Sequence, residues 1–232
     1  MPSSPVQREE SLSKLLSPIV AAAAPSVLAV AIFTGRSILT HRLGFAFLVF
    51  NLFLAWMPLG FAVTGELIRL RGHRRVWLVP VLGLWLMFLP NAPYILTDLV
   101  HLWRPSGFVF WYDLAMVLAF ALAGVMAGVA SMRVVHRTIS SLAGPTLGPT
   151  VGYVTMIGAA MLSGVGIYVG RVLRWNSWDL IVRPHVLLPR FASAALQPWN
   201  NRHAVVFSML FGLLFAVIYL LTTRRRNANE SL

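Results

Sequence analysis

FLPNAPYILTDLVHL, residues 88–102, decides how the rest of the chain is read. An apolar run is interrupted by Pro90 and Pro93, then resumes with a carboxylate, Asp98, three residues before an imidazole, His101. Proline lacks the backbone donor that a helix interior needs, and it disfavours helix in the residue before it. The stretch therefore predicts a helix that leaves off at Pro90 and restarts near Pro93, with Asn91 as N-cap of a second half-helix from Tyr94 to Trp103. At about 100° per residue, Asn91, Tyr94, Thr97, Asp98 and His101 fall within roughly one third of that helix's circumference. Ile95, Leu96, Leu99, Val100, Leu102 and Trp103 take the remainder.

Such a polar face matters because of where it lies. The chain is 58% hydrophobic, with 11% charged residues and a mean hydropathy of +0.75, whereas about a quarter of the residues of a soluble domain are charged. Six apolar stretches follow one another, at about 18–35, 44–65, 76–89, 108–131, 148–170 and 204–223. Inside lipid an open sheet cannot satisfy its backbone, so each is read as a helix. The expected fold is all-α: one membrane domain of about six helices over 18–223, after a flexible N-terminal tail (1–17) and before a basic C-terminal tail (224–232). The third stretch, Val76 to Leu89, has fourteen residues. That is about 21 Å of helix against a hydrocarbon core of about 30 Å, which puts the proline break at membrane depth. Broken helices persist there only where protein or a water-filled cavity covers the free backbone, and they often line binding sites.

Charge sets an orientation. The side holding both termini carries eleven Arg and Lys and the other side eight, so the positive-inside rule places both termini in the cytoplasm. Five of the eight tryptophans, Trp103, Trp111, Trp175, Trp178 and Trp199, lie on the other side, as an interfacial belt requires. The formal charge of +12 comes from Arg between apolar runs, with Lys14 the single lysine. Topology and lipid head groups account for it, so membrane lipids are the expected partners and nucleic acid is not. The chain has no cysteine, hence no disulfide, thiolate metal site or cysteine nucleophile. Glycine pairs at four-residue spacing, Gly124 with Gly128, Gly148 with Gly152 and Gly166 with Gly170, predict close helix contacts.

The polar residues that remain gather on the outward side. Asp98 and His101, at i and i+3, suit a proton relay or acid–base pair; as metal ligands they are only two, and no third has diagnostic spacing. Asp113, after Trp111 and Tyr112, stands in the first turn of the fourth span, where the helix dipole favours an acid. The segment GRVLRWNSWD, Gly170 to Asp179, puts Arg171, Arg174, Trp175 and Trp178 on one face if the helix continues. Two guanidinium groups framed by indoles suit a phosphate or carboxylate, while the plain alternative is a belt of snorkelling Arg and Trp. Asn176, Ser177 and Asp179 read as a turn or cap, and either arginine is also a counter-ion for Asp98. On the opposite side Glu66 and Arg69 read as an interfacial ion pair.

FLPNAPYILTDLVHL, with WYDL at 111–114 and YVGRVLRWNSWDL at 168–180, resembles the bacterial integral-membrane family called domain of unknown function 1361, over roughly Phe45 to Tyr219. The resemblance implies a multi-span protein of the bacterial inner membrane and brings no reaction, ligand or catalytic assignment. The leading expectation is an outward polar pocket of Asn91, Tyr94, Asp98, His101, Asp113, Arg171, Arg174 and Asp179 that binds a small anionic or amphiphilic ligand such as a lipid head group, with no cofactor. Two rivals stand beside it. One is a structural or assembly subunit whose Asp, Arg and His only fix helix packing; the other is a metal-dependent membrane enzyme built around Asp98 and His101.

Overall fold

The computed structural model describes the backbone of residues 5–102, 107–174, 182, 185 and 202–230, and the side chains of 15–102, 109–174, 182, 185 and 202–223. In order come α1 (Pro5–Thr40), α2 (Ala46–Leu70), a 3₁₀ turn η1 (Arg75–Trp77), α3 (Leu78–Phe88), α4 (Asn91–Tyr94), a 3₁₀ segment η2 (Ile95–Leu102), α5 (Gly107–Arg171) and α6 (Arg202–Glu230). Among the described residues there is no strand. Among the described residues five segments are long and apolar enough to cross a bilayer: Leu15–Thr40, Ala46–Leu70, Arg75–Leu102, Val109–Arg171 and Arg202–Thr223. The chain is a multi-pass, all-helical membrane protein.

The difference between five segments and six expected spans lies in α5. Gly144, at φ 84° and ψ 175°, is non-helical and interrupts it. Eight residues apart in sequence, Ser140 Oγ donates to Gly148 O at 2.9 Å, and the rings of His136 and Tyr153 meet edge to face at 4.7 Å. In a straight helix residues 136 and 153 would be about 25 Å apart. The chain therefore doubles back at Gly144, where a positive φ suits glycine, and the fourth and fifth expected spans are the two arms of one interrupted helix. A Cβ on Gly148 would run into the Ser140 backbone and one on Gly152 into the His136 ring, so this glycine pair closes the hairpin.

Both ends of the chain are more helical than expected. α1 starts at Pro5, well inside the segment read as a flexible tail, and α6 continues to Glu230 past the end of the sixth apolar stretch. Extending a formed helix adds one backbone bond per residue fixed, so helix propagates beyond the apolar run that anchors it.

The chain divides into two compact units, residues 1–153 and 154–232. In the first, Ala29 of α1, Leu48, Leu52 and Ala55 of α2, Ala92 and Ile95 of the broken span, and Met116, Val117 and Phe120 of α5 form one buried cluster. Indoles turn their donors inward at its borders: Trp56 Nε1 to Ser26 Oγ at 3.0 Å and Trp85 Nε1 to Ser131 Oγ at 3.1 Å. In the second unit α5 and α6 touch backbone to backbone, since a Cβ on Gly164 would meet Ser208 O and one on Gly212 would meet Met161 Cα. That contact joins two glycines on different helices, a pairing that no single-helix spacing motif announces.

Candidate functional site

The proline break is present, with its own geometry. The α-helix stops at Phe88 and resumes for one turn at Asn91, while Leu89 (φ −53°, ψ −37°) and Pro90 (φ −58°, ψ −26°) stay right-handed. Ala92 N donates to Leu89 O at 3.1 Å, and the Asn91 side chain donates to Phe88 O at 2.9 Å. Asn91 therefore serves the carbonyl end of the helix behind it, whereas the sequence pattern predicts an N-cap for the one ahead. Gly124 of α5 makes room for the break, because a Cβ there would collide with Ala92 O and the Ile95 side chain.

Beyond Tyr94 the backbone is 3₁₀ rather than α. Three residues per turn bring i and i+3 into register, and runs longer than three or four residues are uncommon; η2 has eight. The single polar face expected from 100° spacing is thereby split. Thr97 Oγ1 donates back to Tyr94 O at 2.7 Å. Asp98 turns inward in the row of Ile95 and is 1% exposed, with His101 one turn above it. His101 Nδ1 lies 3.1 Å from Asp98 O and 3.7 Å from Asp98 Oδ1, and its side chain is 43% exposed.

Asn51 of α2 completes the pair. Its Nδ2 donates to Asp98 Oδ2 at 2.9 Å, so one oxygen of the buried carboxylate is held from α2 while the other faces the imidazole. Sequence patterns do not single out Asn51. The signal is there, a lone amide in the apolar run LVFNLFLAW (48–56), but nothing local ties it to residue 98. The arrangement suits proton handling: a buried carboxylate lies 3.7 Å from a partly exposed imidazole whose Nδ1 meets the Asp98 carbonyl oxygen and whose ring leans on Phe47 at 4.9 Å.

Asp113 has a specific partner that the sequence does not name. Arg36, near the end of α1, grips it with both nitrogens of one edge, Nε to Oδ1 at 2.5 Å and Nη2 to Oδ2 at 3.2 Å. The Arg36 guanidinium also lies 4.6 Å from the centre of the Phe45 ring, and Tyr112 Oη donates to Ile32 O at 3.0 Å. Phe45 and Phe47 contact each other at 5.9 Å between ring centres. The Arg36–Asp113 pair and the Asn51–Asp98–His101 group therefore flank two neighbouring phenylalanines at the start of α2.

Of the remaining expected residues, Arg171 and Arg174 belong to the second unit. α5 ends at Arg171, and Arg174 is exposed at φ 58°, in the left-handed region. The continuous helical face predicted through these arginines is therefore interrupted. Trp175, Trp178 and Asp179 lie outside the described residues. Among the described residues no three His, Asp or Glu side chains are grouped closely enough to hold a metal ion.

At the far end of α2 the third buried acid, Glu66, takes Arg69 at 2.8 and 2.6 Å and accepts from Thr138 Oγ1 of α5 at 2.7 Å. This is the ion pair expected there, with a cross-helix hydroxyl added.

A family model described as "Protein of unknown function (DUF1361)" matches residues 50–218 of the chain. No curated protein and no solved structure matches it.

Proposed function

The chain belongs to the DUF1361 family, a membership that brings no assigned reaction with it, and from the geometry we propose that it binds a small anionic or amphiphilic ligand, such as a lipid head group, at an outward-facing site. In the first unit His101 is the group that meets the ligand, above Asp98, which Asn51 holds; in the second unit Arg171 and Arg174 are a separate clamp for an anionic group. One observation carries this reading: a carboxylate 1% exposed beneath an imidazole side chain 43% exposed. Ionisable groups inside membrane spans are costly and tend to mark functional positions. The ring nitrogens of an imidazole can donate or accept, which suits contact with a polar head group. In this proposal the protein sits in a bacterial inner membrane with both termini in the cytoplasm.

The test is retention of an anionic phospholipid by the full chain in mild detergent. Arg171→Ala with Arg174→Ala, and separately His101→Ala, are expected to lower retention while the protein stays folded. Retention unchanged in both variants would remove the proposal.

A second reading, in which the acids only fasten helices, is favoured by one specific observation: Asp113 is already held bidentately by Arg36 from another helix. Asp98→Asn distinguishes the two. It lowers melting temperature with retention intact if the role is packing alone, and lowers retention if Asp98 orients His101.

A further inference from the structure

The exposed polar connection after α2, residues 71–74, is unconnected with the Asp98 site. α2 ends in a tight reversal: Gly72 is at φ 68°, its N–H donates to Arg69 O at 3.1 Å, and His73 N donates to Ile68 O at 3.1 Å. These are the bonds of a glycine-terminated helix end, and they use carbonyls that would otherwise face solvent. The 3₁₀ turn η1 comes at once after it, closed by Trp77 N to Arg74 O at 3.1 Å. Between two fixed helix ends the chain thus presents Arg71, His73, Arg74 and Arg75, all exposed, without the slack of a long loop.

Two features distinguish this connection from an ordinary solvated loop. The first is unbalanced charge. There is no acid in residues 67–97, and the nearest one before it, Glu66, is occupied by Arg69 and Thr138. Among the described residues no carboxylate pairs with Arg71, Arg74 or Arg75. The second is an exposed apolar neighbour. Val76, Trp77 and Val79 are 65%, 60% and 71% exposed, so large apolar side chains stand immediately beside the cations. An indole belongs at the level of lipid head groups, with its apolar body toward the acyl chains. Trp77 therefore fixes the depth of the segment and sets the three guanidinium groups in the phosphate layer.

We propose that Arg71, Arg74 and Arg75, levelled by Trp77, form a binding surface for anionic phospholipid on the face of the membrane opposite Asp98. Guanidinium groups bind phosphate oxygens through paired N–H donors, and the net charge of the surface favours a lipid with a negative head group over a zwitterionic one. Each basic side chain near an anionic surface contributes about fivefold in partitioning, so the three together give roughly a hundredfold preference at moderate salt. The preference shrinks as salt rises, because these charges are exposed and screened.

The experiment uses the full chain in mild detergent and native mass spectrometry of bound lipid, with phosphatidylglycerol and phosphatidylcholine added in parallel. The variant replaces Arg71, Arg74 and Arg75 by Gln together, and a chain carrying His101→Ala, Arg171→Ala and Arg174→Ala serves as background to remove retention at the outward residues. The expected result is roughly a hundredfold loss of phosphatidylglycerol retention in the triple variant, about fivefold in each single variant, and unchanged phosphatidylcholine retention. The single variants read the effect even if the triple variant expresses poorly. Equal retention of the two lipids by the original chain, or phosphatidylglycerol retention insensitive to all loop variants, would overturn the proposal. Loss in the outward background alone would overturn the loop proposal while sustaining the outward site.

Discussion

The two ends of α2 solve the same problem differently. Near its start, Asn51 reaches Asp98, 47 positions along the chain, and beside it Arg36 reaches Asp113 across 77 positions. Near its end, Glu66 takes Arg69 from the next turn of the same helix. Both arrangements keep a carboxylate in a span from being buried alone, which membrane interiors penalise heavily. Only the first kind fastens separate helices through its ion or amide partner; at the Glu66 end a hydroxyl, Thr138, makes the cross-helix contact.

That contrast orders the expected effects of substitution. Asp113→Ala leaves the Arg36 guanidinium buried without its counter-ion, and the loss should be largest here, about 3–5 kcal/mol. Thermal unfolding in detergent reads it, and pairing Asp113→Leu with Arg36→Met should recover part of the loss; a double variant as damaged as the sum of the single ones would mean that the pair is not coupled. Asn51→Leu removes the amide that donates to the buried Asp98 carboxylate, for a loss of about 1–3 kcal/mol. Thermal unfolding in detergent reads this loss as well, and a melting temperature equal to that of the original chain would contradict it. At the other end, Arg69→Ala removes an arginine whose side chain is 28% exposed and leaves Thr138 donating to Glu66, so a smaller loss of about 1–2 kcal/mol is expected. A melting temperature lowered as much as by Asp113→Ala would erase the distinction between the ends.

The same contrast explains what is legible in the sequence. Glu66 and Arg69 can be read as a pair because three residues on a helix is a contact distance. Arg36–Asp113 and Asn51–Asp98 cannot, because a partner on another helix leaves no periodic trace. Hydropathy supplies the all-helical membrane fold, and the prolines supply the break in the third span. The prolines do not supply its consequence: with Ala92 N turned to Leu89 O, Asn91 caps backward, and the segment after it runs at three residues per turn. That change of pitch puts Ile95, Asp98 and His101 in one row, with Thr97 bonded back to Tyr94 O beside it. The two apolar stretches on either side of Gly144 read as separate spans, and the positive φ of Gly144 is what lets one helix supply both. The expected helical face of Arg171 and Arg174 fails for a local reason too, because Arg174 leaves the right-handed region at the helix end.

The most direct measurement uses the absence of cysteine from the natural chain. His101→Cys and Asp98→Cys are made separately and exposed, in intact cells, to a membrane-impermeant maleimide. An outward site with a buried acid beneath an exposed imidazole predicts rapid labelling at position 101 and none at position 98 until the protein is unfolded. Labelling of position 101 only after the membrane is permeabilised, or labelling of position 98 as fast as position 101, would contradict it.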